Sequence, residues 1–148
     1  MLNRKVGRDG GATMEAIHAE IRTTCQALAA SGNTSLQPLS KALSKALSDH
    51  VATTQHLLAA LKDASFEAFG GSFDYLMQTG YLFGGWAMAV SALVAAEKLV
   101  AGQSSVFYAR KIGTASFYGA RVLPRCDAHC AAILYSGSAL SDYALEWL

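Results

Sequence analysis

"GYLFGGWAMAVSALVAA", residues 80–96, carries no charge, and no Asp, Glu, Lys, Arg or His occurs between Asp74 and Glu97. A segment this long and apolar is formally able to span a bilayer, so its reading separates a membrane protein from a helical core. Gly85, Ala89, Ala92 and Ala96 recur at helical spacing and give one face of small side chains. Phe83, Trp86, Val90 and Leu93 give a bulky face beside it. A lipid-facing helix gains nothing from that division, whereas a central helix of a bundle uses the small face for close backbone approach. Gly80-x-x-x-Gly84 also fits a membrane dimer motif and does not discriminate. Asp74 on one side and Glu97-Lys98 on the other supply no basic bias to orient a span. The stretch therefore reads as a helix with protein on nearly every side.

That reading needs apolar partners, and the flanking sequence offers them. Asp9 is placed to cap a first helix that runs to about Ala30 and ends at Gly32-Asn33. Met14, Ile17, Ile21, Cys25 and Leu28 form its apolar stripe. A second, long helix starts near Ser35, tolerates Pro38 in its first turn and continues to Lys62. Its stripe is Leu36, Leu39, Leu43, Leu47, Val51, Leu58 and Leu61. The third helix begins at Ser65 or Ser72, contains the opening stretch and ends near Ala101-Gly102. Ser104 or Ser105 caps a fourth, lined on one side by Tyr108, Ile112, Ala115, Gly119, Val122, Cys126, Cys130 and Ile133, which Pro124 should kink near Gly119-Ala120. A break at "SGS", 136–138, precedes a tail whose Leu145, Trp147 and Leu148 are expected to fold back or meet a partner. Short connections favour antiparallel neighbours. The expected architecture is all-α, one domain over residues 1–148, an antiparallel up-and-down four-helix bundle with a short C-terminal tail helix.

Composition narrows the function classes. The 148 residues hold 12 Lys plus Arg against 11 Asp plus Glu, which argues against a nucleic-acid binder dependent on surplus positive charge. Only 16% of residues are charged and 52% are hydrophobic, much of the excess being alanine, a strong helix former. Three cysteines fit no disulfide framework, so a reducing, cytoplasmic setting is expected. The segment "MLNRKVGRDGG" has basic residues but no apolar run behind them, so no signal peptide is expected.

Little catalytic chemistry survives inspection. Cys126, His129 and Cys130 have helical spacing, but structural zinc takes four ligands from separated pairs and no second pair exists. Cys25, Cys126 and Cys130 fall on apolar stripes and read as small core residues. His18, His50 and His56 show no triad-like arrangement and read as solvated or capping residues. "RDGGAT" has glycines but no phosphate-loop lysine. Arg110, Thr114, Tyr118, Arg121 and Arg125 follow one another at helical steps. Such a ridge could grip a phosphate or an acidic surface, although a solvated face satisfied by nearby acids accounts for the same pattern and is favoured.

Three pieces in order, "RKVGRDGG" (4–11), "GYLFGGWAMA" (80–89) and "FYARKIGTASFYGARVLP" (107–124), carry a family likeness. The chain resembles the extra C-terminal helical domain of a large-subunit branch of the acyl-CoA dehydrogenases, the methylmercaptopropionyl-CoA dehydrogenase-like branch. The shared patterns are RK-x-x-RDGG, G-x-x-x-GGW and FY-x-x-K-x-x-x-A-x-FY-x-x-x-VLP. The resemblance implies a parent flavoprotein that oxidises an acyl-CoA thioester between its α and β carbons. In such enzymes a carboxylate removes the α proton, FAD accepts the hydride and an electron-transfer flavoprotein takes the electrons onward. It implies that the flavin barrel, acyl-CoA cleft and catalytic glutamate belong to a preceding body, so that these residues hold no cofactor and no catalytic group. The chain then starts where the extra domain would start, as a cut-out domain or truncated relative. Its expected role is accessory: packing on the flavoprotein body or a neighbouring subunit, in a homo-oligomer, without a membrane span. Trp86, Arg110, Tyr118, Arg121 and Arg125 are the candidate contact surface. The alternative is a free-standing helical module that self-associates through its apolar faces.

Overall fold

The computed structural model describes residues 6–63, 66–103 and 105–135, and the side chains of residues 68 onward within the segment that begins at 66. The expected tail helix lies outside the described residues. Among the described residues six α-helices follow in order: α1 Ala12–Ala30, α2 Gln37–Lys62, α3 Phe66–Gly70, α4 Ser72–Val100, α5 Val106–Arg121 and α6 Arg125–Tyr135. No strand occurs among the described residues. The all-α reading holds.

Each helix starts and stops for local reasons. Gly10 and Gly11 both take left-handed backbone, φ 65° and 91°, which delivers the chain into α1. Asp9 caps from three residues before Ala12, its carboxylate accepting from the Gly11 and Thr13 amides at 3.0 and 2.9 Å and from the Thr13 hydroxyl. These bonds favour the charged form and hold the Asp9 carboxyl below its ordinary range. Gly32, φ 64°, ends the exit from α1. The Asn33 side chain then accepts from Ser35 N at 3.0 Å and opens a 3-10 turn, Thr34–Leu36, that leads into α2 with Pro38 in its first turn. Ser105 caps α5 by accepting from Phe107 N.

Between Ser65 and Ser72 as the start of the third long helix, the structure resolves the ambiguity at Ser72, with the short α3 before it. The expected single fourth helix is corrected to two. Pro124 does not merely kink it: the helical ladder stops at Arg121 and resumes at Arg125. The amides of Val122 and Leu123 both turn back to the Tyr118 carbonyl, and the proline supplies no amide to continue the ladder. The turn drives Leu123 into the core, 1% exposed, against Gly85, where a Cβ would lie 2.6 Å from the Leu123 Cδ2.

Helices α2 and α4 are the inner pair; each packs on the other and on α1, α5 and α6. The small face of α4 is the buried one, with Gly85, Ala89, Ala92 and Ala95 facing inward. Its bulky face is only partly enclosed. Phe73, Leu76, Val90 and Val94 are exposed, and a third of the most apolar window of this helix is buried. Enclosure on nearly every side is therefore corrected to one buried face and one open one. Among the described residues α4 is the one helix long and apolar enough to cross a membrane by length and composition.

Two apolar clusters fill the interior. The larger joins Ile21, Leu28, Leu39, Leu43, Leu82 and Leu123 with their neighbours. The smaller joins Met14, Leu57, Ala60, Tyr75 and Ile133 at the other end.

Candidate functional site

Between the two apolar clusters runs a layer of buried polar side chains, one level across the molecule. On α1 it is His18, after Met14 and before Ile21. On α2 it is His50, Thr53 and Thr54, between Leu47 and Leu57. On α4 it is Gln78 and Thr79, between Tyr75 and Leu82. His18 Nε2 and His50 Nδ1 are hydrogen-bonded at 2.8 Å, and His50 Nε2 is hydrogen-bonded to Thr79 Oγ1 at 2.8 Å. Tyr75 stacks on His50 with ring centroids 4.8 Å apart and shares a 2.9 Å hydrogen bond with Thr54. Thr53 donates to Gln78 Oε1 at 2.7 Å, and Gln78 Nε2 donates to the Cys126 carbonyl, which ties α6 into the layer. These bonds across α1, α2, α4 and α6 favour one helix register, because sliding any one helix breaks several of them; within the layer His18 Nδ1, 3.7 Å from the Glu15 carboxylate, is buried without a hydrogen bond.

The two imidazoles can bond to each other only if one nitrogen of the pair carries a proton and the other does not. Burial, then the neighbouring His18, pushes the His50 pKa down to about 3. Burial also lowers His18, against an opposing pull from the Glu15 carboxylate 3.7 Å from Nδ1. Burial raises the Tyr75 hydroxyl to about 12, with the Thr54 hydrogen bond opposing. Burial thus favours the neutral form of both imidazoles and of the Tyr75 hydroxyl. The layer suits structure better than proton chemistry. The reading of His18 and His50 as solvated or capping residues is corrected: both are sealed, at 1% and 0% exposure, and His56 is half-buried.

Cys126, His129 and Cys130 do not converge. The Cys126 thiol, pushed up to about 12 chiefly by burial, contacts the Gln78 carbonyl. Cys130 faces the Asp49 carbonyl, and His129 Nδ1 donates to Asp74 at 2.7 Å. Cys25 and Cys126 are core residues as expected.

The five residues singled out as a contact surface divide among several places. Trp86 is half-buried and turned toward α1, where its Nε1–H donates to Thr24 Oγ1 at 2.9 Å. Tyr118 turns inward onto α4, donating to the Tyr81 carbonyl at 3.2 Å and lying over Gly84, where a Cβ would collide with its hydroxyl. Arg125 leaves the α5 line at the helix break and sits 5.9 Å over the Tyr81 ring. Arg110 and Arg121 remain exposed on α5 and make no ion pair among the described residues. The aromatics beside them are Phe107 and Phe117, 59% and 63% exposed, which sequence reasoning passed over for Tyr118. Helical spacing was the available signal: positions 107, 110, 114, 117 and 121 fall on one stripe.

The described residues thus hold a core split by a polar layer, a glycine pair admitting Tyr118 and Leu123 and an open basic-aromatic helix, and among them no catalytic constellation. The chain belongs to the acetyl-CoA dehydrogenase C-terminal-like family, whose model matches residues 17–143. Its relatives include the 3-methylmercaptopropionyl-CoA dehydrogenase of Ruegeria pomeroyi, 34% identical over 145 residues, covering 98% of this chain and 24% of that enzyme. Another is the broad-specificity linear acyl-CoA dehydrogenase FadE5 of Mycobacterium tuberculosis, 33% identical over 130 residues, covering 82% of this chain and 21% of that enzyme. The chain thus spans less than a quarter of the length of these curated relatives.

Proposed function

We propose that the chain serves as the accessory C-terminal domain of an FAD-dependent acyl-CoA dehydrogenase, packing on the flavoprotein body or a subunit interface. The observation that carries this is the lopsided match: nearly all of this chain aligns with under a quarter of an acyl-CoA dehydrogenase. The parent reaction is oxidation of an acyl-CoA thioester between its α and β carbons, in a cytoplasmic homo-oligomer that hands electrons to an electron-transfer flavoprotein. FAD belongs to the parent body, and these residues are non-catalytic, bind no nucleic acid and do not span a membrane. The helices act as an antiparallel up-and-down bundle in which α5 and α6 together form the fourth member. The pairwise packing around α2 and α4 supports that arrangement.

The α5 face supports a docking role. Phe107, Phe117, Arg110 and Arg121 are exposed with no acid on the helix from Val106 to Arg121. Aromatic and arginine side chains are enriched at protein interfaces. The purified chain is expected to be colourless and to bind neither FAD nor acyl-CoA; a yellow protein with a flavin spectrum contradicts the proposal. The open apolar face of α4 favours a second reading, a self-associating module. Light scattering on the purified chain separates the two, since only that reading gives a stable oligomer of the chain alone.

A further inference from the structure

Where the chain enters α1, the first turns of that helix and the middle of α2 enclose a pocket of about 270 Å³. Val51 and Leu58 of α2 and Ala12 of α1 give it apolar walls. Glu15 and His18, three residues apart on α1, also line it, and Glu15 is the one charged side chain in the lining. The helix end itself offers little, because Asp9 already takes the Gly11 and Thr13 amides.

The polar layer behind the pocket assigns the protons of His18. Thr79 gives its one hydroxyl proton to the Tyr75 carbonyl at 2.6 Å, so its oxygen accepts from His50 Nε2–H. His50 is neutral, so its Nδ1 keeps a lone pair and accepts from His18 Nε2–H. Burial disfavours a second proton on His18, which leaves His18 Nδ1 an acceptor too. That nitrogen is buried and unbonded, and what faces it at 3.7 Å is another acceptor, the Glu15 carboxylate. Thr54 cannot help, since its hydroxyl donates to the His50 carbonyl at 2.6 Å. No Lys or Arg among the described residues pairs with Glu15. A buried acceptor without a donor is costly, and one beside a carboxylate is best answered by a cation with at least two N–H bonds. A single nitrogen can reach both acceptors, whereas a planar guanidinium fork pairs with both oxygens of one carboxylate. A metal ion would need further ligands, and no three His, Cys, Asp or Glu side chains converge among the described residues. Glu15 is 64% exposed, so its arm is free to swing aside and admit a ligand to the sealed nitrogen.

We propose that this pocket binds a primary alkylammonium group, which donates one N–H to His18 Nδ1 and another to the Glu15 carboxylate while its alkyl stem lies against Val51 and Leu58. A free small amine and a lysine side chain on a polypeptide offer the same chemistry. The site does not rest on the accessory-domain reading.

The test is a titration of the 15N-labelled chain at neutral pH with n-butylammonium, read at the ring nitrogens of His18. Butyltrimethylammonium, which has the charge without the N–H bonds, and butan-1-ol, which has no charge, are the controls. Saturable movement of the Nδ1 resonance is expected with the amine and with neither control, the Nε2 proton being retained throughout. Glu15→Gln, a change to an exposed side chain, is expected to weaken binding about tenfold or more. A blocked Gly-Lys-Gly peptide that binds at least as tightly as the amine identifies the lysine source; a peptide that binds more weakly identifies the free amine. Absence of saturable movement, an equal response to either control, an Nδ1 already protonated in the free chain, or a Glu15→Gln variant that binds unchanged overturns the proposal.

Discussion

At His50 two demands meet: the ring is sealed from water, and both its nitrogens are engaged, Nδ1 with His18 and Nε2 with Thr79. Its pKa falls from 6.5 to about 3, so acid protonates the unfolded chain first. Stability tied to the neutral ring is fully present above pH 6.5 and is lost progressively as the pH falls toward 3. Thermal melts should therefore show the melting temperature declining below pH 6.5 before most carboxylates titrate, and His50→Gln should flatten that limb. An identical limb in the variant contradicts the assignment. The glycines of the opening stretch give a second pair of expectations. Gly84→Ala forces its Cβ into the Tyr118 hydroxyl and should cost about 1–3 kcal/mol in denaturant unfolding. Gly80→Ala meets open space and should be neutral or stabilising by about 0.5–1 kcal/mol. Equal effects at the two positions would remove the close-approach argument.

Helix α4 shows what an apolar helix needs from its neighbours. From Gly85 to Ala95 its buried residues are all glycine and alanine, where α2, α5 and the turn at Leu123 come close. Ala92→Leu should then destabilise by about 1–3 kcal/mol through overpacking. Val94→Lys, on the open face at 48% exposure, should change stability by less than about 0.5 kcal/mol. Urea unfolding of both variants checks the pair, and a Val94→Lys as costly as Ala92→Leu would mean the face is covered. The helices and the small face of α4 were legible because leucine and alanine recur at helical spacing. The polar layer was not, although its register was: His18 continues Met14, Ile21, Cys25 and Leu28, and His50 and Thr54 continue Leu43 and Leu47 into Leu57. A reading that follows hydrophobicity steps over a polar residue at a core position and picks its apolar neighbour, as it did with Ile17, Val51, Leu58 and Leu61. Pro124 was weighed correctly as a disruption, but how far the ladder breaks depends on where Leu123 packs, a tertiary fact. The exposed side of α5 was misassigned by one residue, Tyr118 for Phe117, because both are aromatic and only the three-dimensional approach to Gly84 separates them.

For the whole molecule, the uneven distribution of function follows from the uneven surface. Among the described residues the interior is two apolar clusters with a hydrogen-bonded polar layer between them. The outside keeps an open α4 face and an α5 stripe with cations and phenylalanines interleaved, surface that water alone does not favour. The most direct test of the accessory-domain claim is co-expression of the tagged chain with the part of the Ruegeria enzyme that precedes its matching region, followed by affinity capture and an absorbance spectrum. Capture of a yellow complex, lost in an Arg110→Glu, Arg121→Glu double variant that still folds, is the predicted result. Capture of the tagged chain alone, colourless and associated only with itself, would contradict it.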